Sequence, residues 1–282
     1  MPKGTSSPIS ASRHDSPGSA PLFSIVMALR NAADKLPGAL DSLAAQTCTD
    51  FELIIIDGAS TDATQAIARR WQERVAPGLL ATGCCTLISE PDRGIYDAFN
   101  KGLARARGRY LAFLGADDRY QPTALSAVAE AIGTDLDGEP DAIAGAYNLI
   151  DIDGHAAKKL ARPEFTRQRL PRSMPTNHQA LFLRTELVRQ AGGFDLSYKI
   201  AGDYDLFLRL LPLQLDWRFM HDTLVDYQLG GTSYALRATA REYRDAKLAA
   251  GESPIGADLI YLRNLAAARL ARIRKRGESI KL

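Results

Sequence analysis

The chain has 282 residues, enough for one large α/β domain or two small ones. Its 46% hydrophobic and 24% charged residues are ordinary for a globular protein and exclude wholesale disorder. With 35 basic and 33 acidic side chains the net charge is +2, which argues against a charge-driven nucleic-acid binder.

Residues 1–21 are rich in Ser, Pro and Gly and have no apolar h-region. They read as a disordered tail rather than a secretory signal. The folded part opens with Phe23-Ser-Ile-Val-Met-Ala-Leu29, a strand, and after Arg30-Asn31 a helical stretch runs to about Ala45. Phe51-Glu-Leu-Ile-Ile-Ile-Asp57 is apolar on both faces, as a buried parallel strand should be. Gly58-Ala-Ser-Thr-Asp62 opens a helix to about Arg74, with Ser60 or Thr61 as its N-cap. Thr86–Ser89 predicts a third strand, Ile95–Arg107 a helix, and Tyr110–Leu114 a fourth strand that ends in Gly115-Ala-Asp-Asp118. A further helix follows Pro122 to about Ile132. Strand alternating with helix means βαβ units and a mostly parallel sheet, with ligand sites at the carboxyl ends of its strands.

From about Asp141 the pattern becomes mixed. Strands are expected over Ala142–Ile152, Gln179–Leu183, Trp217–Phe219 and Leu224–Leu229, with short helices over Thr185–Ala191 and Asp203–Leu211. The polar stretch Arg162–Asn177 resembles a mobile loop. No linker divides the two halves, so the sheet is expected to continue through residues 22–235, with a helical, basic extension over 236–282.

Three acidic positions carry the chemistry. Asp57 follows three isoleucines, where an acid is costly unless it emerges into a ligand site; the competing reading is a cap on the next helix. Asp117 and Asp118 are adjacent hard oxygen donors after a strand and suit Mg²⁺ or Mn²⁺ shared with ligand phosphates, or else a turn and a helix cap. In Gly202-Asp203-Tyr-Asp205-Leu-Phe-Leu-Arg209, Asp205 and Arg209 are i,i+4 neighbours able to pair, while Asp203 is a general base or an N-cap.

Taken together, these strings are more specific than any one residue. Ser24-Ile-Val-Met-Ala-Leu-Arg-Asn31, Ile54-Ile-Ile-Asp-Gly-Ala-Ser-Thr-Asp-Ala-Thr64 and Glu90-Pro-Asp-Arg-Gly-Ile-Tyr-Asp-Ala-Phe-Asn-Lys-Gly102 resemble the family 2 glycosyltransferases. So do Gly108-Arg-Tyr-Leu-Ala-Phe-Leu-Gly-Ala-Asp-Asp118, Thr176-Asn-His-Gln-Ala180, Gly192-Gly-Phe-Asp195 and Ala201-Gly-Asp-Tyr-Asp205, over roughly residues 22–233. The branch resembled is the one that builds bacterial O-antigens and exopolysaccharides.

That resemblance implies a GT-A fold, a nucleotide-binding sheet continuous with a mixed acceptor-binding half. It also implies a nucleotide-sugar donor (a UDP-sugar first), a saccharide or polyprenyl-diphosphate-linked saccharide acceptor, Mg²⁺ or Mn²⁺, and inversion at the anomeric carbon. By position Asp57 matches the acid that binds the nucleotide base, Ala28 to Arg30 the loop against it, and Arg93 a position near the nucleotide. Asp117 and Asp118 match the metal and diphosphate motif, Asp203 the catalytic base, and His178 and Gln179 a pair near donor sugar and acceptor. The family pattern often has a proline and a tyrosine where this chain has Ala28 and Arg30, and Ala116 carries no acid. Metal is therefore expected mainly through Asp118 and the diphosphate.

Two other functions are open to a nucleotide-binding α/β sheet. A sugar-phosphate nucleotidyltransferase usually carries a Gly-rich, Lys/Arg-bearing loop after its first strand, unlike Arg30-Asn-Ala-Ala-Asp34. A non-catalytic nucleotide- or sugar-binding module would not need Asp203 together with the Asp pair. Cys48, Cys84 and Cys85, odd in number and partly adjacent, make a poor disulfide framework and fit a reducing cytoplasm. The apolar runs are strand-sized and fall short of a membrane span. Leu259, Leu262, Ala266, Leu270 and Ile273 form an apolar helical stripe, and Arg263–Leu282 has seven basic residues against one acidic. This helix either packs on the body or rests peripherally on an anionic membrane surface.

Overall fold

Alternation within two short strands supplies both hydrophobic cores. In the computed structural model, which describes residues 20–80, 84–133, 138–151, 153–168, 171–229, 236–259 and 261–262, Phe23–Leu29 (β1) and Phe51–Asp57 (β2) pair in parallel. Phe23, Ile25 and Met27 with Phe51, Leu53 and Ile55 enter one core; Val26, Ile54 and Ile56 enter the other. Successive side chains of a strand point to opposite faces, so a strand buried on both faces needs apolar residues at nearly every position. The first core is closed by Leu36–Ala44 (α1), Thr64–Arg74 (α2) and, after the short Ala76–Leu79 (α3) and strand Cys85–Ser89 (β3), by Ala124–Gly133 (α5). The second is closed by Ile95–Leu103 (α4) and Gly202–Leu210 (α7).

Tyr110–Phe113 (β4) and Arg119–Tyr120 (β5) precede α5; Ala142–Ile150 (β6), Ala156–Lys159 (β7) and Leu181–Arg184 (β8) follow it. Thr185–Gln190 (α6) leads towards α7, and Trp217–Gln228 (β9) and Leu236–Ala249 (α8) come last. One nine-stranded sheet runs β3-β2-β1-β4-β8-β6-β9-β5, with β7 paired to β6. The first four strands are parallel, β8 is antiparallel to β4 and to β6, and β9 is parallel to β6. The parallel half and the mixed half thus share one sheet, as expected. Register sets Asp57 opposite both Leu29 and Ser89, and Val26 opposite Phe113, so β1 to β4 end along one edge.

Several local expectations change. The helix after β2 begins at Thr64, not at Ser60 or Thr61, because Ser60 is used by Asp57 and Thr61 by Asn31. The helix expected to reach Arg107 stops at Leu103, since Arg107 and Gly108 turn to hydrogen-bond buried Glu52. The two strands expected over 217–229 are one, β9, with an irregular register near Ala146. Gln179 lies in a 3₁₀ turn, His178–Ala180, before the strand. The described parts of Arg162–Asn177 form a packed wall: Phe165 and Met174 are buried, Arg162 N donates to Pro175 O (2.6 Å), and Thr176 Oγ1 donates to Gly145 O (2.7 Å).

None of the three cysteines is in a disulfide, and burial pushes the Cys85 thiol up to about 12. Among the described residues no helix is long and apolar enough to cross a membrane. Leu259 and Leu262, the start of the apolar stripe, are exposed. The rest of the stripe and the basic Arg263–Leu282 lie outside the described residues, as do residues 1–19 of the tail, Ile152 and the Gly230–Ser233 loop.

Candidate active site

The carboxyl ends of β1 to β4 and the loops after them carry the first group of expected residues. Asp57 ends β2 fully buried, and its carboxylate accepts from Ser60 N (3.1 Å), Ser60 Oγ and Ser89 Oγ (2.6 Å). Ser60 Oγ in turn accepts from Asn31 N (2.8 Å), so Asp57 ties the loop after β2 to the loop after β1. Both loops turn tightly: Asn31 and Ala59 have φ of 48° and 55°, the left-handed region. Asp57 therefore does not cap α2. Ala28, expected in the loop, is instead half-buried within β1 opposite Ile56, because the strand pairing runs on to Leu29; Arg30 is exposed in the loop that follows. A Cβ on Gly58 would meet Asp92 Oδ2 at 2.2 Å, so a side chain there would have to displace the Asp92 carboxylate. Arg93 stands exposed in the loop after β3, its guanidinium and its N–H both held by Asp97 (3.0 and 3.1 Å).

Asp117 and Asp118 follow β4. Asp118 is 1% exposed and accepts from Gln228 N (2.7 Å) and from Gln179 Nε2. Gln179 Oε1 accepts from Gly115 N (2.7 Å), so one amide clamps the turn that carries both acids. Burial first, and the neighbouring Asp117 charge with it, push the Asp118 carboxyl up to about 6 against the lowering effect of its hydrogen bonds. Asp117 is more open, with Lys35 Nζ 3.4 Å from Oδ2. A Cβ on Gly115 would lie 2.5 Å from Asp118 Oδ2 and 3.1 Å from Asp117 Oδ1, so the two carboxylates converge over the space glycine leaves. This set fits a divalent cation: two hard oxygen donors, one buried at a cost that a positive charge would relieve. Among the described residues no third acidic, His or Cys ligand joins them, which leaves room for ligand oxygens.

A cavity of about 630 Å³ is bounded by α4, residues 158–165 and 173–178, and the start of α7. Asp203, the second residue of α7, lines it. His178 Nδ1 stands 3.3 Å from Asp203 Oδ2, and Tyr96 Oη is 3.4 Å from Asp203 Oδ1 while donating to Ile200 O at 2.6 Å. Burial first and the Asp203 charge second push the Tyr96 phenol far up, so it stays a proton donor. Gly202 is dictated by this contact, since a Cβ there would reach the Tyr96 ring at 2.8 Å. Asp205 points elsewhere: it is buried and paired with Arg209 (2.9 Å), whose guanidinium also donates to Gly193 O (2.7 Å) and Ala191 O.

The expected residues thus fall into three groups. Asp57, Ala28, Arg30 and Arg93 lie at the ends of β1 to β3 or in the loops after them; Asp117 and Asp118 form the turn after β4, to which Gln179 is bonded; His178 and Asp203 line the cavity. The consecutive His178 and Gln179 join the last two, one side chain meeting Asp203 and the other Asp118. The sequence reading missed Lys35, Tyr96 and the Gln228 N–H. Tyr96 and Asp203 are 107 residues apart, and no local pattern relates them.

Comparison with known proteins bears on the family and the fold. Residues 24–189 match the family model for Glycosyl transferase family 2. The chain is 36% identical over 218 residues, 76% of its length and 80% of the relative's, to a PGL/p-HBAD biosynthesis glycosyltransferase of Mycobacterium bovis. In fold it resembles S. aureus TarS 1–349 in complex with UDP-GlcNAc, with TM-score 0.61, 17% identity, and 86% and 71% of the two chains covered. Of the longer TarS chain, 42% is covered. It also resembles the mannosyltransferase PcManGT from Pyrobaculum calidifontis in complex with GDP-Man and Mn²⁺, with TM-score 0.60, 21% identity, and 94% and 81% covered. Both neighbours are GT-A glycosyltransferases, and the curled, mostly parallel sheet with flanking helices is that fold.

Proposed function

This chain belongs to the family 2 glycosyltransferases, and we propose that it is an inverting, metal-dependent enzyme. In this reading it moves a sugar from a nucleotide-sugar donor to a hydroxyl of a saccharide or lipid-linked saccharide, in the building of a bacterial surface glycan. One observation carries it: the 178–179 turn joins a base candidate facing a cavity to a carboxylate pair at the strand ends. The TarS and PcManGT structures hold UDP-GlcNAc and GDP-Man, which supports the donor class.

Asp203 accepts the proton of the acceptor hydroxyl as its oxygen attacks the anomeric carbon and the bond to the diphosphate oxygen breaks. With one displacement and no covalent intermediate, the configuration inverts. His178 and the protonated Tyr96 fix the Asp203 carboxylate between them. Asp117 and Asp118 would hold Mg²⁺ or Mn²⁺, which when bound offsets charge developing on the leaving diphosphate. Asp57 keeps the loops after β1 and β2 in place beneath the nucleotide, with Ala28, Arg30 and Arg93 at its edge. We further propose peripheral membrane contact through the basic segment after Asp258, supported by its charge and apolar stripe.

The experiment is a donor panel of UDP-glucose, UDP-N-acetylglucosamine and GDP-mannose with Mn²⁺, read as nucleoside diphosphate release with and without chelator. Release that needs Mn²⁺ and is lost in Asp203→Asn is expected. Pyrophosphate release from a nucleoside triphosphate and a sugar phosphate would favour the nucleotidyltransferase instead. Nucleotide binding without turnover of any donor would favour the binding module.

A further inference from the structure

We propose that Glu242, on α8, is a positioning residue for Asp203. Its carboxylate accepts from three consecutive backbone N–H groups: Lys199 N at 3.0 Å, Ile200 N at 2.7 Å and Ala201 N at 2.9 Å. These are the residues immediately before α7, and Ala201 at its N-cap has no side chain able to cap. A carboxylate from another helix thus occupies the positive end of α7, two residues from Asp203, through charge-assisted bonds stronger than neutral ones. Lys199, Ile200 and Asp203 all line the cavity, whereas Glu242 does not, so Glu242 acts through the backbone.

The opposite side of the same segment is held by Tyr96, whose Oη donates to Ile200 O at 2.6 Å. Residues 199–203 are therefore gripped at their N–H groups by α8 and at a carbonyl by α4. The next residue of α8 strengthens the hold: Tyr243 stacks on Tyr204, the neighbour of Asp203, with ring centroids 4.2 Å apart and planes 9° apart. Consecutive residues of α8 thus fix the backbone before Asp203 and the side chain after it. The C-terminal extension completes the catalytic half instead of merely following it.

This inference rests on Asp203 being the base, and the test separates the two. In the full chain, Glu242→Gln keeps the size but puts an amide NH₂ against three N–H donors. With the best donor of the panel and Mn²⁺, kcat should fall about tenfold to a hundredfold, as for a misplaced reacting group. KM for the donor and UDP affinity in Mn²⁺ should stay unchanged, and hydrogen exchange at the 199–201 amides should quicken. In an Asp203→Asn background, Glu242→Gln should cost nothing further, because the two act as one unit. Glu242→Asp, which keeps the charge on a shorter stem, should lose less. Wild-type kcat in folded Glu242→Gln overturns the proposal, as does an equal further loss in the Asp203→Asn background; should Glu242→Gln not fold, a Glu242→Asp protein with quickened 199–201 exchange but wild-type kcat overturns it. Asp203→Asn at wild-type rate overturns the base reading instead, while the exchange rates still report whether Glu242 holds the segment.

Discussion

Gln179 and Asp118, 61 residues apart, share a buried hydrogen bond in which the amide nitrogen donates to the carboxylate. The same amide accepts from Gly115 N at 2.7 Å, so both of its ends are committed to the turn after β4. Gln179→Ala should leave the fold intact and release that turn, weakening UDP binding in Mn²⁺ by about tenfold, the loss of roughly one hydrogen bond to a charged group. Titration calorimetry checks this. Unchanged affinity would mean the turn is rigid without the clamp.

Asp118 gives the metal-free protein a pH signature. Its folded carboxyl titrates near 6 against an ordinary value of 3.8, so between those limits the folded protein holds a proton that the unfolded chain has released. Unfolding then releases a proton, and stability falls as pH rises through this window, by about 3 kcal/mol in all. Thermal melts in chelator should show wild type losing ground to Asp118→Asn between pH 4 and 6. A constant difference between the two melts would contradict the burial argument.

Asp203 and Asp205 should separate cleanly. Asp203→Asn keeps shape but removes the basic site, so donor release should fall by roughly 10²–10⁴ with UDP binding retained. Asp205→Asn weakens the grip on Arg209, which ties α7 to Ala191 and Gly193, and should cost about 1–3 kcal/mol of stability with little change in kcat. Parallel kinetics and melts on both variants decide. A folded, inactive Asp205→Asn beside an active Asp203→Asn would reverse the assignment.

Glu52 is a purely structural case. Buried in β2, it accepts from Ser24 Oγ (2.6 Å), Arg107 N (2.6 Å), Arg107 Nε (3.0 Å) and Gly108 N (3.2 Å). Glu52→Ala strands those donors and should cost about 2 kcal/mol, lowering Tm by roughly 4–8 °C. Calorimetry should show this with donor KM unchanged.

Truncation after Asp258 tests the basic segment. Each basic residue contributes about 1 kcal/mol near an anionic surface. Intact protein should float with anionic vesicles and the truncated protein should not. Equal flotation would remove the membrane reading, and loss of folding would assign the segment to the body.

Period-2 burial is local, so Phe23–Leu29 and Phe51–Asp57 determined the parallel half, its two cores and the edge at which its strands end. Asp57, Asp117, Asp118 and Asp203 stood out because an acid ending an apolar strand or opening a helix is conspicuous in one dimension. What those acids touch was decided only in three dimensions. Tyr96 and Asp203 are joined across 107 residues by helices α4 and α7 that pack in one core, and Gln228 N and Asp118 across 110 by the pairing of β9 with β5. Strand β7, Ala-Ala-Lys-Lys, and the two-residue β5 carry no strand pattern, because an edge strand is defined by the partner it pairs with rather than by what it buries. Helix α8 was legible only as a helical extension. That its Glu242 reaches the start of α7 follows from how α7 and α8 pack, and no local spacing encodes a contact across 41 residues.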